Sequence, residues 1–245
     1  MKSKLLKFTL LIAIMLAHAS LGLTANLKGL LDNAKKAFSG DSSITNDEMI
    51  QGLKEALEIG TQNAVAMVSR PDGYFKNPDI KIPLPEEIEK AGKYLRLAGY
   101  GSKVDEFEQS MNRAAEQAAP EAKQIFLGAV KELEIGDAQK ILNGPDNAAT
   151  NYFKDKTYPL LQKIFKPIIK DTMGQVGVTR QFQGINTKLA SIPLADQASV
   201  DLDQYVTDKS LDGLFFMLAE EEKKIRQDPA ARVTDILKKV FGGQG

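Results

Sequence analysis

The sequence contains no cysteine and no tryptophan, and its single histidine, His18, stands close to the start. Without thiols there are no disulfides, no thiolate redox centre and no sulfur ligands for structural zinc. Removal of His18 during export would also take away the imidazole needed for Ser-His-Asp or Cys-His nucleophile pairs. What survives is carboxylate, lysine, tyrosine or serine chemistry, or none. Neither sign of charge is in excess, with 32 basic and 32 acidic side chains, so the chain offers no broad cationic field for nucleic acid or anionic lipid. Long apolar runs are missing beyond residue 25: LFFMLA (Leu214 to Ala219) is the longest candidate and falls far short of the ~20 residues a spanning helix needs.

The first residues have the three parts of a secretory signal. Lys2, Lys4 and Lys7 precede the apolar run Phe8 to Ala17, and Ala17-His18-Ala19 is a small-x-small cleavage pattern. Residues 1–19 are therefore expected to be removed, with cleavage after Ala25 (Leu23-Thr24-Ala25) as the alternative; either takes His18 away. An uncleaved anchor is the competing reading, since Phe8 to Ala25 nearly spans a bilayer, but His18 and Ser20 interrupt it. The expectation is a soluble periplasmic or secreted domain over residues 26–245, with no cysteine for acylation and no stable membrane insertion after cleavage. About 225 residues can bury roughly 70% of the unfolded surface, enough to stand without staples.

Helical spacing recurs almost everywhere and alternating strand patterns are nearly absent. Leu27, Leu30, Leu31, Ala34 and Phe38 make a first stripe ended by Gly40. Thr45 and Glu48 form a capping box ahead of Ile50, Leu53, Leu57, Ala64, Val65 and Val68. Arg70 to Pro85, RPDGYFKNPDIKIPLP, holds four prolines and one glycine in sixteen residues, which predicts an ordered loop, with Ile80-Lys81-Ile82 at most a lone short strand. Pro85 opens a helix through Ile88, Ala91 and Leu95; Ser102 and Asp105 can cap the next, and Pro120 kinks it or opens another. Asp137 is placed to cap a short helix before Gly144-Pro145. Further helices are expected from Asp146, from Pro159 with Pro167 inside it, and from Thr179. Leu211, Leu214, Phe215, Phe216, Met217 and Leu218 cover nearly every direction around one axis, the mark of a central helix. Its far end, Glu220 to Lys224, is expected to leave the core into water, and a final amphipathic helix carries Val233, Ile236, Leu237, Val240 and Phe241. The reading is a single all-α domain of about ten helices around a central apolar helix, with one proline-rich ordered loop.

An internal echo, KEALEIG (54–60) against KELEIG (131–136), is too local to mark a repeat architecture. More specific are the segments GLKEAL (52–57), IPLP (82–85), MNRAAE (111–116), PEAK (120–123) and LDGLFFMLAEEEKKIRQDP (211–229). In this order they resemble a family of bacterial secreted proteins known only as a domain of unknown function, number 4197. The likeness runs from about Gly52 to Phe241, and the last segment is the most specific. It implies a mostly helical envelope protein and carries over no activity, cofactor or catalytic residue.

Among candidate sites, Asn112, Arg113 and Glu116 stand within little more than one helical turn, Arg113 and Glu116 as i,i+3 neighbours. They read either as a binding cluster, with the guanidinium on an anionic ligand and the carboxylate as base or orienting group, or as a surface ion pair or a clamp on the Arg70–Pro85 loop. Glu220, Glu221 and Glu222 offer carboxylates for a glycosidase-type reaction, against the plainer reading of a solvated helix end paired with Lys223, Lys224 and Arg226. Asp201, Asp203, Asp208 and Asp212 fail the calcium-loop pattern because Tyr205 and Val206 stand at key positions. GYGSK (99–103) lacks the strand a phosphate loop requires. Tyr152, Lys154, Lys156 and Tyr158 interleave aromatics and cations over too short a span for a nucleic-acid surface. The sequence thus points to no metal, no cofactor and no nucleic-acid partner, and leaves catalytic residues unassigned. It favours a non-enzymatic envelope module that binds an envelope protein or a small ligand between helices. A carboxylate-dependent hydrolase of a wall glycan is the alternative.

Overall fold

The structure, a computed structural model, describes residues 45–175, 200–228, 232 and 234–241. Among the described residues the regular structure is entirely helical. In chain order the elements are α1 (Asn46–Ser69), α2 (Glu86–Leu97), α3 (Gly101–Ala118), a 3-10 turn (Ala119–Glu121), α4 (Ala122–Lys131), α5 (Ile135–Leu142), α6 (Ala148–Gln175), α7 (Leu202–Gln227) and α8 (Asp235–Phe241). No described helix is long and apolar enough to cross a membrane.

The expected number of helices differs for two reasons. The signal segment, the Leu27 to Phe38 stripe and the helix from Thr179 lie outside the described residues. The helices expected from Asp146 and from Pro159 are one: α6 runs 28 residues through both Pro159 and Pro167. Asp155, Pro159, Lys163 and Pro167 are all exposed, so the carbonyls deprived of their i+4 donor lie on the side where water replaces it. Pro120 starts a new element by way of the 3-10 turn.

Local chemistry sets the starts and stops. Thr45 Oγ1 accepts from Glu48 N at 3.2 Å and Glu48 Oε2 accepts from Thr45 N at 3.1 Å, closing the capping box of α1. Two expected caps are not made. α3 begins at Gly101, ahead of Ser102, and Asp105 pairs with Arg96 at 2.6 Å; α5 begins at Ile135, which leaves Asp137 inside its first turn. α2 ends in a Schellman motif: Tyr100 N donates to Leu95 O at 2.8 Å and Gly99 N to Arg96 O at 3.1 Å. Gly99 takes φ 88°, the left-handed conformation that such a stop requires.

α7 packs against α6, α1 and α3, and α6 packs against α3 and α4. Phe126 of α4 lies 5.2 Å from Phe153 and 5.8 Å from Phe215, centroid to centroid, joining α4, α6 and α7 in one aromatic contact. Ala114, Ala115, Ala118, Ala119 and Ala122 are fully buried and let the 3-10 turn pass close to α1 and α6. α7 is central without being enclosed: Leu211, Leu214, Phe215 and Leu218 are buried, whereas Phe216 is 42% exposed. The chain between α1 and α2 has turns but no strand, Ile80–Ile82 included.

Candidate functional site

Asn112, Arg113 and Glu116 all turn toward the loop of residues 70–85. Asn112 is fully buried; its Oδ1 accepts from Ile82 N at 2.8 Å, and its Nδ2 donates to Ile82 O and Glu108 O, each at 2.9 Å. One carboxamide thereby satisfies both backbone groups of a buried residue that no strand pairs. Glu116 is also buried, its Oε1 accepting from the N–H groups of Tyr74 (3.1 Å) and Phe75 (3.2 Å) and its Oε2 from Arg113 Nη1 (2.6 Å). Arg113 extends its other amino group to Asp72, which also takes Lys76 at 2.7 Å. Lys76, and Arg113 after it, hold the Asp72 carboxyl below its ordinary range, while Glu116, then Asp72, raise the Arg113 guanidinium further.

The loop is fixed from its other side by α7. Tyr74 is fully buried and its hydroxyl donates to Ser210 O at 2.6 Å; burial, with the Glu116 charge added, pushes that hydroxyl well above its usual range and keeps it neutral. Gly213 supplies the seat, because a Cβ there would come within 2.7 Å of Tyr74 Cε1 and 3.1 Å of Ile80 Cβ. Tyr205 donates to Pro83 O at 3.1 Å, and Asn77 Nδ2 to Met217 Sδ at 3.6 Å. The loop is therefore held between α3 and α7 by groups drawn from both.

Of the run Glu220 to Lys224, Lys223 and Lys224 are exposed as expected and Glu220 is half-buried, but the two glutamates between them stay in the core. Glu221 and Glu222 are buried, at 6% and 8% exposure, because other elements bring donors to them. Glu222 accepts from Ala149 N, Thr150 N and Thr150 Oγ1, each at 2.9 Å, so a carboxylate of α7 caps the N-terminus of α6. Arg226 donates Nε and Nη2 to the same carboxylate at 3.0 and 2.9 Å, and Nη2 also reaches Ile141 O at the end of α5. Glu221 takes Asn63 Nδ2 at 2.9 Å and Lys224 Nζ at 2.6 Å. The pairing with lysine and arginine was readable from i,i+3 and i,i+4 spacing; the α6 amides, more than seventy residues away in sequence, were not.

A family model matches residues 43–242. The chain belongs to the family described as "Protein of unknown function (DUF4197)". No curated protein and no solved structure matches it. Three of the five segments by which the sequence resembles this family serve the two polar centres: IPLP supplies Ile82, MNRAAE supplies Asn112, Arg113 and Glu116, and the α7 segment supplies Gly213, Glu222 and Arg226.

A cavity of about 20 Å3 lies between α1, α6 and α7, lined among others by Leu53, Leu57, Phe153, Leu218, Glu222 and Ile225. That is room for about one water molecule. Asn112, Arg113 and Glu116 do not line it. The remaining motifs have structural positions. Asp201 caps α7, accepting from Gln204 N at 3.0 Å. Among the described residues no group of three or more acidic side chains is placed to hold a metal ion. GYGSK spans the end of the turn between α2 and α3 (Gly99, Tyr100) and the first three residues of α3. Lys154 lies 5.7 Å above the Tyr158 ring and Lys156 5.9 Å above Tyr152, packing cations on their own helix.

Proposed function

We propose that the chain is an exported interaction module without chemistry of its own: residues 1–19 direct it out of the cytoplasm, and the domain over 26–245 engages an envelope partner through its surface. One observation carries this reading. Of the candidate carboxylates for a hydrolase, Glu116, Glu221 and Glu222 are buried and bonded to backbone amides, amide side chains and cations of the fold itself, while Glu220 is half-buried. A general acid or nucleophile must instead face a groove wide enough for a sugar. The one-water cavity beside Glu222 likewise favours a partner at the surface over a ligand held between helices. Asn112, Arg113 and Glu116 serve the module by fixing the loop of residues 70–85, whose outer residues Pro71, Lys76, Pro78 and Asp79 are exposed.

The test pairs location with activity. N-terminal sequencing of protein recovered from the envelope is expected to start at Ser20 or Asn26, and purified protein is expected to release no fragments from wall glycan. Cleavage that disappears in Glu116→Gln or Glu222→Gln with the melting temperature unchanged would establish a hydrolase and overturn the proposal. A start at Met1 would overturn export.

A further inference from the structure

Methionine is the only sulfur residue of the chain, which has seven of them and no cysteine. Five lie among the described residues: Met111 and Met173 are buried, at 0% and 1% exposure, and Met49, Met67 and Met217 are half-buried. Met217 stands one helical turn beyond the Gly213 seat, and its Sδ accepts from Asn77 Nδ2 at 3.6 Å. Asn77 organises the tip of the loop. Its Oδ1 accepts from Asp79 N at 3.1 Å, its O from Ile80 N at 3.3 Å and Lys81 N at 2.8 Å, and its N donates to Tyr74 O at 3.1 Å. Lys76 turns back to Asp72. All of these bonds stay inside the loop, so among the described residues the bond to Met217 is the one polar link from residues 76–79 to a helix. The flanks are held independently, by Glu116 and Ser210 on Tyr74 and by Asn112 on Ile82.

We propose that Met217 is a reversible oxidation site through which a peroxide loosens the tip of the loop, residues 76–79. The inference deepens the interaction-module reading and rests on it for its consequence, because the tip presents Lys76, Pro78 and Asp79 at the surface offered to a partner. The step is an oxygen transfer. The sulfur lone pair attacks one oxygen of hydrogen peroxide, the O–O bond breaks as an S–O bond forms, and the second oxygen leaves as water, carrying the proton of the first. Sulfur loses two electrons and the peroxide gains them. The product is a polar sulfoxide in place of an apolar thioether. A separation of 3.6 Å between Nδ2 and Sδ cannot contain both an S–O bond and a ~2.9 Å N–H···O bond end to end, so Asn77 either retreats or loses its acceptor. Either way the tip is released from α7, while Asn112 and Tyr74 keep the rest of the loop in place. Methionine sulfoxide reductases restore the thioether, which makes the change reversible.

Trypsin cleavage after Lys76, whose side chain is 72% exposed, reads the opening of the tip. After the folded protein is treated with hydrogen peroxide, peptide mass spectrometry is expected to find one added oxygen on Met217, and cleavage after Lys76 should be about tenfold faster. Reductase treatment should return the original rate. Met217→Leu keeps the volume but not the acceptor, so its rate should be raised from the start and unmoved by peroxide, whereas the Met49→Leu, Met67→Leu double variant should respond like the wild type. The proposal is overturned if Met217 stays unmodified while Met49 or Met67 is oxidised, if its sulfoxide forms with the Lys76 rate unchanged, or if peroxide still accelerates cleavage of Met217→Leu. It is equally overturned if cleavage spreads through the helices with a fall in melting temperature, since oxidation then unfolds the domain rather than opening the tip. Failure here leaves the interaction-module reading standing, because that reading is judged by location and glycan cleavage.

Discussion

A single side chain decides how well the loop of residues 70–85 is held. Replacing Asn112 by alanine strands the buried N–H and C=O of Ile82 together, and an unmade pair of this kind costs about 2 to 4 kcal/mol. Urea unfolding of Asn112→Ala should show that loss, and Asn112→Asp should be worse, since a carboxylate would then face the carbonyls of Ile82 and Glu108. Thr61 gives the opposite expectation. It is fully buried and its hydroxyl has no partner, so Thr61→Val should leave the melting temperature unchanged or raise it, by up to about 1 kcal/mol in stability. Asp72 contributes through charge. Its φ of 66° suits asparagine as well as aspartate, so Asp72→Asn removes the charge without bending the loop. The carboxyl titrates below its unfolded value of 3.8, and ionisation therefore favours the native state. Its contribution is complete above that value and fades as pH falls through the lower folded one. The gap in melting temperature between wild type and Asp72→Asn should hold steady from neutral pH to about pH 5 and close below 3.8.

At the scale of elements, the seat between α7 and the loop matters more than helix propensity. Alanine is a better helix former than glycine by about 1 kcal/mol, yet a Cβ at Gly213 collides with Tyr74 and Ile80. Gly213→Ala is expected to destabilise by about 1 to 3 kcal/mol, read by chemical denaturation. The seat also marks the boundary of what the sequence discloses. The α1 capping box is legible because its two partners are three residues apart, and the inward stripe of Leu53, Leu57, Ala64, Val65 and Val68 follows from helical period alone. Arg113 with Glu116 is legible for the same reason. That Asn112 and Glu116 clamp the loop is one of the alternatives the sequence offers, but the groups that receive them are not legible, because Ile82 and Tyr74 lie 30 and 42 residues away and enter as backbone groups, which no residue type announces. The acidic run of α7 reads as a solvated helix end for an equally physical reason: burial of Glu222 depends on the free amides at the start of α6, 73 residues upstream. Pro159 reads as a helix start because a proline fits that position best, whereas α6 tolerates it on a wet face.

At the scale of the molecule, α7 carries two polar centres: the loop seat at Gly213 and the Glu222–Arg226 pair nine residues on, about 14 Å along the axis. They share no side chain. Asn112 acts on the first through Ile82, in the loop whose Tyr74 and Ile80 meet Gly213, and Thr150 acts on the second through a 2.9 Å bond to Glu222. Substitutions separated this far with no common partner add to within about 0.5 kcal/mol. Thr150→Val should cost about 1 to 2 kcal/mol, since Glu222 keeps its bonds from the Ala149 and Thr150 amides and from Arg226. The Asn112→Ala, Thr150→Val double variant should then lose the sum of the two, in a single transition whose urea slope matches the wild type. A coupling well above that limit would mean that α7 shifts as a rigid rod between its two anchors, so that loosening the loop disturbs the α6 cap as well. The additive outcome is expected because one centre is fixed mainly by α3 and the other by α5 and α6, each with its own hydrogen-bond partners.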